Sequence, residues 1–565
     1  MNQKGSQETD DLEGWLDKVL TDVLDNPPST SKDLKKIRRD ASREFKMKAP
    51  PGDAQLFLML DDDMKIKLGQ FLRRKPTRTL SGVAPVAIMT SPSYCPHGTC
   101  TYCPGGPKFG TAQSYTGYEP AARRAERNQF DASAQVLDRL NQYHAIGHNA
   151  SKIDLIFMGG TFTSRSNDYR HNFVKGAFDA ANGSVSSSLE QAHEINENSE
   201  RRIIGLTIET RPDRCDIDTV KWMLDIGTTR IELGIQCLDE DVLTSVNRGH
   251  TVKEGMTAAK RVRDAGLKVN LHMMPGLPGI ERSKDLEMLL EVMQGESWRP
   301  DMMKIYPCLV VKGAELVEKW ERGEFIPMRN QEAIELIAEV LHKAPPWMRI
   351  QRIQRDIPAH EILDGVTAGN LRQLATRHLL QTGKRSGCIR DREIGRVEKS
   401  PNLEQFEIIC RHYNSAGGRE LFISYEAPHP DSKKQIEGFE GGVPKLTDDG
   451  IHHWRNTDPP GGVVAGFLRL RLPSENLLDI NEDGKTAIIR EVKVFGKVVG
   501  VGEAADGEQK QHKGLGKLLV AEAEKRAKEL FSCEHIRVTA GVGVRKWFHS
   551  LGFRRKGPWM GKKLD

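Results

Sequence analysis

The sequence predicts an α/β protein with two catalytic parts: a partial β/α barrel of about six units, then a smaller α/β domain, with a basic helical arm in front. Three observations predict it. Short β-rich runs alternate with helical stretches between residues 84 and 307. Three cysteines crowd into the positions just after the first run. Near the C-terminus, a glycine-bearing turn preceded by a β run opens an amphipathic helical run.

The arm comes first, over residues 1–80. The stretch SKDLKKIRRDASREFKMK carries Lys35, Lys36, Arg38 and Arg39 among its basic residues, and FLRRKPTR adds Arg73, Arg74 and Lys75. One such cluster is usually a solvated helix face. Two of them just ahead of a cysteine motif point to an arm that contacts phosphates. The formal charge of the chain is only +5, so its distribution says more than its sum.

The barrel is expected over residues 81–325. Its six β runs are VAPVAIM, IDLIFMG, IIGLTIET, RIELGIQ, KVNLHMM and DMMKIYP. Strands alternating with helices imply βαβ units and a parallel sheet. Chemistry in such folds sits at the C-terminal ends of the strands. Candidate residues at those ends are Gly159, Gly160 and Thr161 after the second run, Glu209 after the third and Gln236 after the fourth. Residues 326–420 read as a linker packing between the catalytic parts. Residues 421–565 form the second domain, with a Gly-, Pro- and Asp-rich insertion at about 427–462.

The nine cysteines are uneven: Cys95, Cys100 and Cys103 form one C-x4-C-x2-C cluster and the other six are scattered. That pattern argues for a metal site and against a disulfide framework. Three thiolates can hold three irons of a 4Fe–4S cube and leave the fourth open to a small chelating molecule, whereas ferredoxins use four cysteines per cluster. A zinc knuckle is the alternative, with His97 as the fourth ligand. The N-terminus is polar, and no run approaches the roughly 20 apolar residues of a membrane span. The expectation is a soluble, cytoplasmic protein with no membrane partner.

The second glycine signal is Gln511-His-Lys-Gly514-Leu515-Gly516, opening the run VAEAEKRAKEL. Backbone N–H groups at a helix start bind anions such as pyrophosphate. Upstream, the strand Ala487–Phe495 contains Glu491, Val492, Lys493 and Val494. A dehydrogenase-type phosphate loop is disfavoured because no acidic ribose ligand follows in a βαβ unit.

Three cysteines after a first strand, with Tyr102 before the third, resemble the radical S-adenosylmethionine (SAM) superfamily, and Met158-Gly159-Gly160-Thr161 resembles its second-strand glycine motif. The C-terminal order resembles the GNAT acetyltransferase fold with its Q-x-x-G-x-G loop. Both parts in one chain, with segments such as LRRKPTRTLSGVAPVAIMTSP, FMGGTF, TIETRPD, NRGHTV, HMMPGLPG and QRIQRDIP, resemble the catalytic third subunit of Elongator and its archaeal and bacterial stand-alone relatives. The resemblance covers most of the chain outside residues 1 to about 30 and the insertion.

It implies a tRNA uridine(34) acetyltransferase, or carboxymethyluridine synthase, using a 4Fe–4S cluster, SAM and acetyl-CoA. An adenosyl radical would take a hydrogen from the acetyl methyl, and the carbon radical would add to carbon 5 of the wobble uridine in the tRNA anticodon. It places Lys152 near acetyl-CoA, Glu491 to Val494 along the pantetheine, and Gln511, Gly514, Leu515 and Gly516 on the pyrophosphate. A reducing electron donor is required; a homo-oligomer is allowed. One departure stands out: Trp547-Phe548 replaces the family's usual Tyr pair, so no phenol is available there to protonate sulfur, although Trp547 can still pack on CoA. A linker zinc, common in relatives, finds Cys308, His378 and Cys388 but no four clear ligands. Two rival functions are a protein lysine acetyltransferase with a structural barrel and a non-catalytic tRNA-binding scaffold.

Overall fold

The computed structural model describes residues 3–47, 50–72, 82–148, 150–432, 436–446, 448–480, 484–495 and 514–565. Arg73, Arg74, Lys75 and Gln511 lie outside the described residues.

The arm is a small helical bundle with a core of its own. Helices Gln3–Asp25, Ser31–Glu44, Asp53–Met59 and Asp62–Leu72 enclose Trp15, Val19, Leu34, Leu56 and Leu68. The basic helix Ser31–Glu44 starts at a reciprocal cap: Thr30 Oγ1 accepts from Asp33 N–H, and the Asp33 carboxylate accepts from Thr30 N–H. Such a cap satisfies two backbone donors at once.

The first sheet is parallel throughout, with strands β1 (Ala84–Met89), β2 (Lys152–Met158), β3 (Arg202–Thr210), β4 (Arg230–Gln236), β5 (Lys268–Met273), β6 (Met302–Ile305) and β7 (Arg349–Ile353) side by side in chain order. Six are the runs read from the sequence. The seventh corrects the reading of residues 326–420 as a linker: β7 extends the barrel edge and pairs with β6. Its sequence, RIQRI, hid it. A buried parallel strand usually reads as an apolar run, but β7 turns Arg349 and Arg352 towards the pockets described below.

The second sheet has strands β8 (Glu407–Ser415), β9 (Gly418–Ala427), β10 (Ile451–His453), β11 (Val463–Leu472), β12 (Thr486–Val494), β13 (His535–Val538), β14 (Arg554–Lys556) and β15 (Trp559–Lys563), in the order β10-β8-β9-β11-β12-β13-β15-β14. Here too the boundaries move. Strand β8 falls inside the expected linker, and β10 lies inside the expected insertion yet pairs with β8. Strands β12 and β13 are parallel, joined through helix Leu515–Phe531. They pair only from Thr486/His535 to Ile489/Val538, so Arg490 to Val494 run on with no strand partner on that side among the described residues. The sheet splits there.

The two sheets share a buried ionic seam. Asp301, one residue before β6, accepts from both terminal nitrogens of Arg490 on β12 at 2.6 Å. Arg490 also donates to Glu420 at 2.9 Å, and Arg471 joins Glu420 to Asp264. All five side chains are fully buried. The seam docks the second domain on the N-terminal end of the barrel strands and leaves their C-terminal ends free. No helix among the described residues is long and apolar enough to cross a membrane.

Candidate active site: two pockets at opposite ends of one barrel

The first pocket lies at the C-terminal ends of the strands and is lined by Cys95, Cys100 and Cys103, with Gly160, Glu209 and Gln236 around them. The cysteines sit on the loop after β1, which Glu119 pins by accepting from the N–H groups of Thr116 and Gly117. Each sulfur has a distinct polar neighbour. Cys95 Sγ lies 3.4 Å from Thr161 Oγ1, Gln113 Nε2 donates to Cys103 Sγ at 3.2 Å, and Cys100 Sγ lies 3.3 Å from His97 Nε2 and 3.8 Å from Arg248 Nη1. Burial pushes the Cys103 thiol up to about 11 and raises Cys95 as well. A buried thiol that resists ionisation in the free protein becomes a thiolate when a metal replaces its proton.

Geometry separates iron from zinc. Thiolates on one tetrahedral zinc stand about 3.8 Å apart. Among the described residues, the only three or more His, Cys, Asp or Glu donors all within 4.8 Å of one another are Glu209, Glu232 and His272. The three cysteines, with or without His97, are therefore too spread for one zinc ion, while a cube holds its cysteines on separate irons. Burial and the nearby Arg211 and Arg248 push His97 down to about 4, so the ring is neutral. Its Nδ1 is engaged by Arg211, whose guanidinium also donates to the carbonyls of Arg248 and Gly249. His97 is thus part of the frame around the loop. Cys308, His378 and Cys388 form no ligand group among the described residues.

The glycines after β2 are built for close approach. Gly159 has φ +117°, and a Cβ there would stand 2.4 Å from Thr90 Oγ1. A Cβ on Gly160 would reach within 3.8 Å of Cys95 Sγ, so its bare backbone faces the cluster loop. Gln236 also has a positive φ, +74°, which costs a non-glycine residue about 1–3 kcal/mol, and its buried Oε1 has no partner among the described residues. Such strain persists where the surroundings enforce it, often at functional sites. Glu209 accepts from Tyr115 Oη at 3.2 Å and from Lys304 Nζ at 3.3 Å. Although burial works against it, Glu232 keeps Lys304 protonated, and the ammonium already bridges Glu209 and Glu232. The Glu209–Glu232–His272 group therefore carries its own cation.

The second pocket, of about 570 Å³, opens where β12 leaves β13, at the N-terminal end of the barrel. That is within the usual size for a bound cofactor. Glu491, Val492, Lys493 and Val494 form one wall, Trp547 and Gly516 another, and Lys152 comes from the start of β2. Burial alone would raise Glu491, but Lys268 and Arg469 hold it at about 2; burial and Arg349 bring Lys493 down to about 8. Desolvation and Arg202 lower Lys152. A Cβ on Gly516 would meet the Trp547 ring at 3.3 Å, so the indole covers the start of helix Leu515–Phe531. Gly514, its N-cap, has φ +104° and open space where a side chain would go. The glycine is required there by its backbone angle; among the described residues nothing stands within 4 Å of a Cβ placed on it. Leu515, by contrast, is buried in the core of the second domain.

Of the three candidate catalytic residues, Glu209 and Gln236 meet in the first pocket and Lys152 lies in the second. In the arm, Lys35, Lys36 and Arg39 are exposed, whereas Arg38 is half-buried, paired with Asp53 and donating to the Pro51 carbonyl. Arg38 holds the arm together, which differs from the free phosphate contact expected of it. Sequence reading missed Gln113, Arg248 and Arg355 in the first pocket. Arg248 and Arg355 lie in the segments NRGHTV and QRIQRDIP, but nothing in those segments singles them out.

Comparison with known proteins identifies the family. Residues 89–292 match the Radical SAM superfamily and residues 300–381 a Radical SAM C-terminal domain, which again carries the barrel past 325. A tRNA uridine(34) acetyltransferase of Methanocaldococcus jannaschii is 39% identical over 97% of this chain and 97% of its own length. Elongator complex protein 3 of Saccharomyces cerevisiae is 36% identical over 96% of this chain and 94% of its own. The solved structure of the archaeal Methanocaldococcus infernus Elp3 with an N-terminal deletion is 38% identical, covers 86% of this chain and all of that one, and superposes with a TM-score of 0.71. With a three-thiol pocket on a parallel barrel and relatives of this identity along nearly its whole length, the chain belongs to the radical SAM family of tRNA uridine(34) acetyltransferases and Elongator complex protein 3.

Proposed function

We propose that this chain modifies the wobble uridine of tRNA, building a carboxymethyl group on carbon 5 from the acetyl unit of acetyl-CoA. The observation that carries the reading is the first pocket: three thiols that are not gathered within 4.8 Å of one another, with no fourth cysteine in the lining, beside the backbone of Gly160. Cys95, Cys100 and Cys103 would hold a 4Fe–4S cluster. When bound, the cluster supplies the electron that cleaves the sulfonium of SAM. The chain's own groups set the stage. Gln113 and Arg248 lend positive or hydrogen-bonding character to two of the sulfurs. Gly160 lines the pocket and brings its backbone close to Cys95 Sγ, where an amino-acid moiety can meet it. Lys304, buried behind the pocket lining, stays protonated between Glu209 and Glu232 and holds the two carboxylates in place.

The second pocket is read as the acetyl-CoA site. Its wall of β12 backbone from Glu491 to Val494, paired to β11 on one edge and left by β13 on the other among the described residues, suits an extended pantetheine arm, and the Gly514 turn at the head of helix Leu515–Phe531 suits the pyrophosphate. Trp547 supplies ring packing. The experiment is nucleoside mass spectrometry of tRNA incubated anaerobically with the reconstituted protein, SAM, a reductant and acetyl-CoA. The expected product is 5-carboxymethyluridine at position 34 of tRNA. Unmodified tRNA together with acetylated lysine on a peptide would favour the acetyltransferase alternative.

The arm is read as the tRNA grip. Replacing Lys35, Lys36 and Arg39 with Ala is expected to lower the slope of log affinity against log salt by about 2–3, since each phosphate contact accounts for roughly 0.7–0.9. Filter binding across a salt series measures it. Arg38→Ala should instead lower the melting temperature, because it removes the half-buried guanidinium that ties the second helix to Asp53 and to the Pro51 carbonyl. An unchanged slope in the triple variant means the arm is only a solvated surface.

A further inference from the structure

The two pockets lie at opposite ends of one barrel, and one layer of side chains divides them. Alternate residues of a strand face the same side. On β3 that face passes from Gly205 in the second pocket, through Thr207, to Glu209 in the first. On β5 it passes from Lys268, through Asn270, to His272, and on β4 Arg230 and Glu232 are direct neighbours. Arg230 Nε stands 3.5 Å from Glu232 Oε1, and Asn270 Nδ2 donates to Glu232 Oε1 at 3.1 Å.

This layer is unlike an ordinary barrel interior, which bulky branched side chains fill. Three of its polar atoms are buried without a hydrogen-bond partner among the described residues: Thr207 Oγ1, Asn270 Oδ1 and Arg230 Nε. Thr207 and Asn270 are fully buried and Arg230 is 5% exposed. An unsatisfied buried polar group costs about 1–3 kcal/mol. Three in one layer, between two pockets, mark a place suited to a small polar group. Two of them, the Thr207 hydroxyl and Arg230 Nε–H, are donors, as a carbonyl oxygen requires.

We propose that this layer is a subsite for the acetyl end of a thioester seated in the second pocket, and that the barrel interior is its route to the cluster pocket. The inference rests on the acetyl-CoA reading above. In it the acetyl carbonyl accepts from Thr207 and Arg230, and Asn270 sets the width of the passage. The subsite takes a short acyl group and has no use for the free thiol of CoA.

The test is calorimetry on the metal-free full chain with acetyl-CoA and with CoA. In the wild-type chain acetyl-CoA is expected to bind more tightly than CoA. Asn270→Phe, which fills the passage, should weaken acetyl-CoA about tenfold and leave CoA unchanged. Thr207→Val keeps the shape, removes one donor, and should weaken acetyl-CoA about fivefold with CoA again unchanged; it decides the matter if Asn270→Phe does not fold. In the reconstituted enzyme, Asn270→Phe should also cut transfer of the acetyl hydrogen to SAM-derived product. Variants that leave the acetyl-CoA to CoA ratio at its wild-type value overturn the subsite alone. A wild-type chain that binds neither ligand overturns the acetyl-CoA reading itself.

Discussion

Replacing Cys95, Cys100 and Cys103 together with Ala is expected to reduce bound iron and acid-labile sulfide to background, and SAM cleavage with them. Each sulfur has its own polar neighbour, Thr161, His97 with Arg248, and Gln113, and the three are not gathered as they would be round a single ion. Removing one thiol should already destabilise the cluster, since it leaves two of the four irons without a protein ligand. The controls are Cys308→Ala and Cys388→Ala. Both thiols are buried, Cys388 accepts from the Ile350 N–H, and neither belongs to the pocket. They should keep full iron content. Metal analysis with Mössbauer spectroscopy measures the effect; iron retained in the triple variant, or one tightly held zinc in the wild type, sinks the assignment.

Gly514→Glu is expected to weaken acetyl-CoA binding by about 2 kcal/mol, roughly thirtyfold, while iron content stays at the wild-type level. Two effects combine. Gly514 sits at φ +104°, where an L residue is strained, so the turn before Leu515 must shift. The added carboxylate also stands at the positive end of helix Leu515–Phe531, where it competes with a bound phosphate. Among the described residues space is not the obstacle, because a Cβ at 514 meets none of them within 4 Å. Gly514→Ala therefore separates the effects: it carries the strain without the charge and should weaken binding less. Equal losses in both variants would place the whole effect in the backbone. No loss in either would remove the phosphates from this turn.

Local signals were legible and tertiary ones were not. The spacing of Cys95, Cys100 and Cys103 and the glycines after β2 stand within short stretches, so their meaning survives without a structure. Strands β1 to β6 read correctly because their hydrophobic runs face the helices outside. Strand β7 was missed because Arg349 and Arg352 reach pockets at the two ends of the barrel, and polar pocket-lining residues look like a loop. Arg248 was missed because its partner Cys100 is 148 residues away. Arg38 looked like its basic neighbours until Asp53, across a turn, claimed it. The placement of the second pocket at the N-terminal end of the barrel depends on contacts such as Arg490 with Asp301, 189 residues apart, which no local pattern announces. In the structure a layer of side chains stands between the two pockets.

That separation makes the origin of the hydrogen atom the decisive question. The account holds that the acetyl methyl reaches the cluster pocket and gives up hydrogen there. Reconstituted enzyme should be run on tRNA with SAM, reductant and CD3-acetyl-CoA, and the 5′-deoxyadenosine analysed by mass spectrometry. The account predicts one deuterium in the 5′-deoxyadenosine formed alongside 5-carboxymethyluridine. Unlabelled 5′-deoxyadenosine during productive turnover would contradict it.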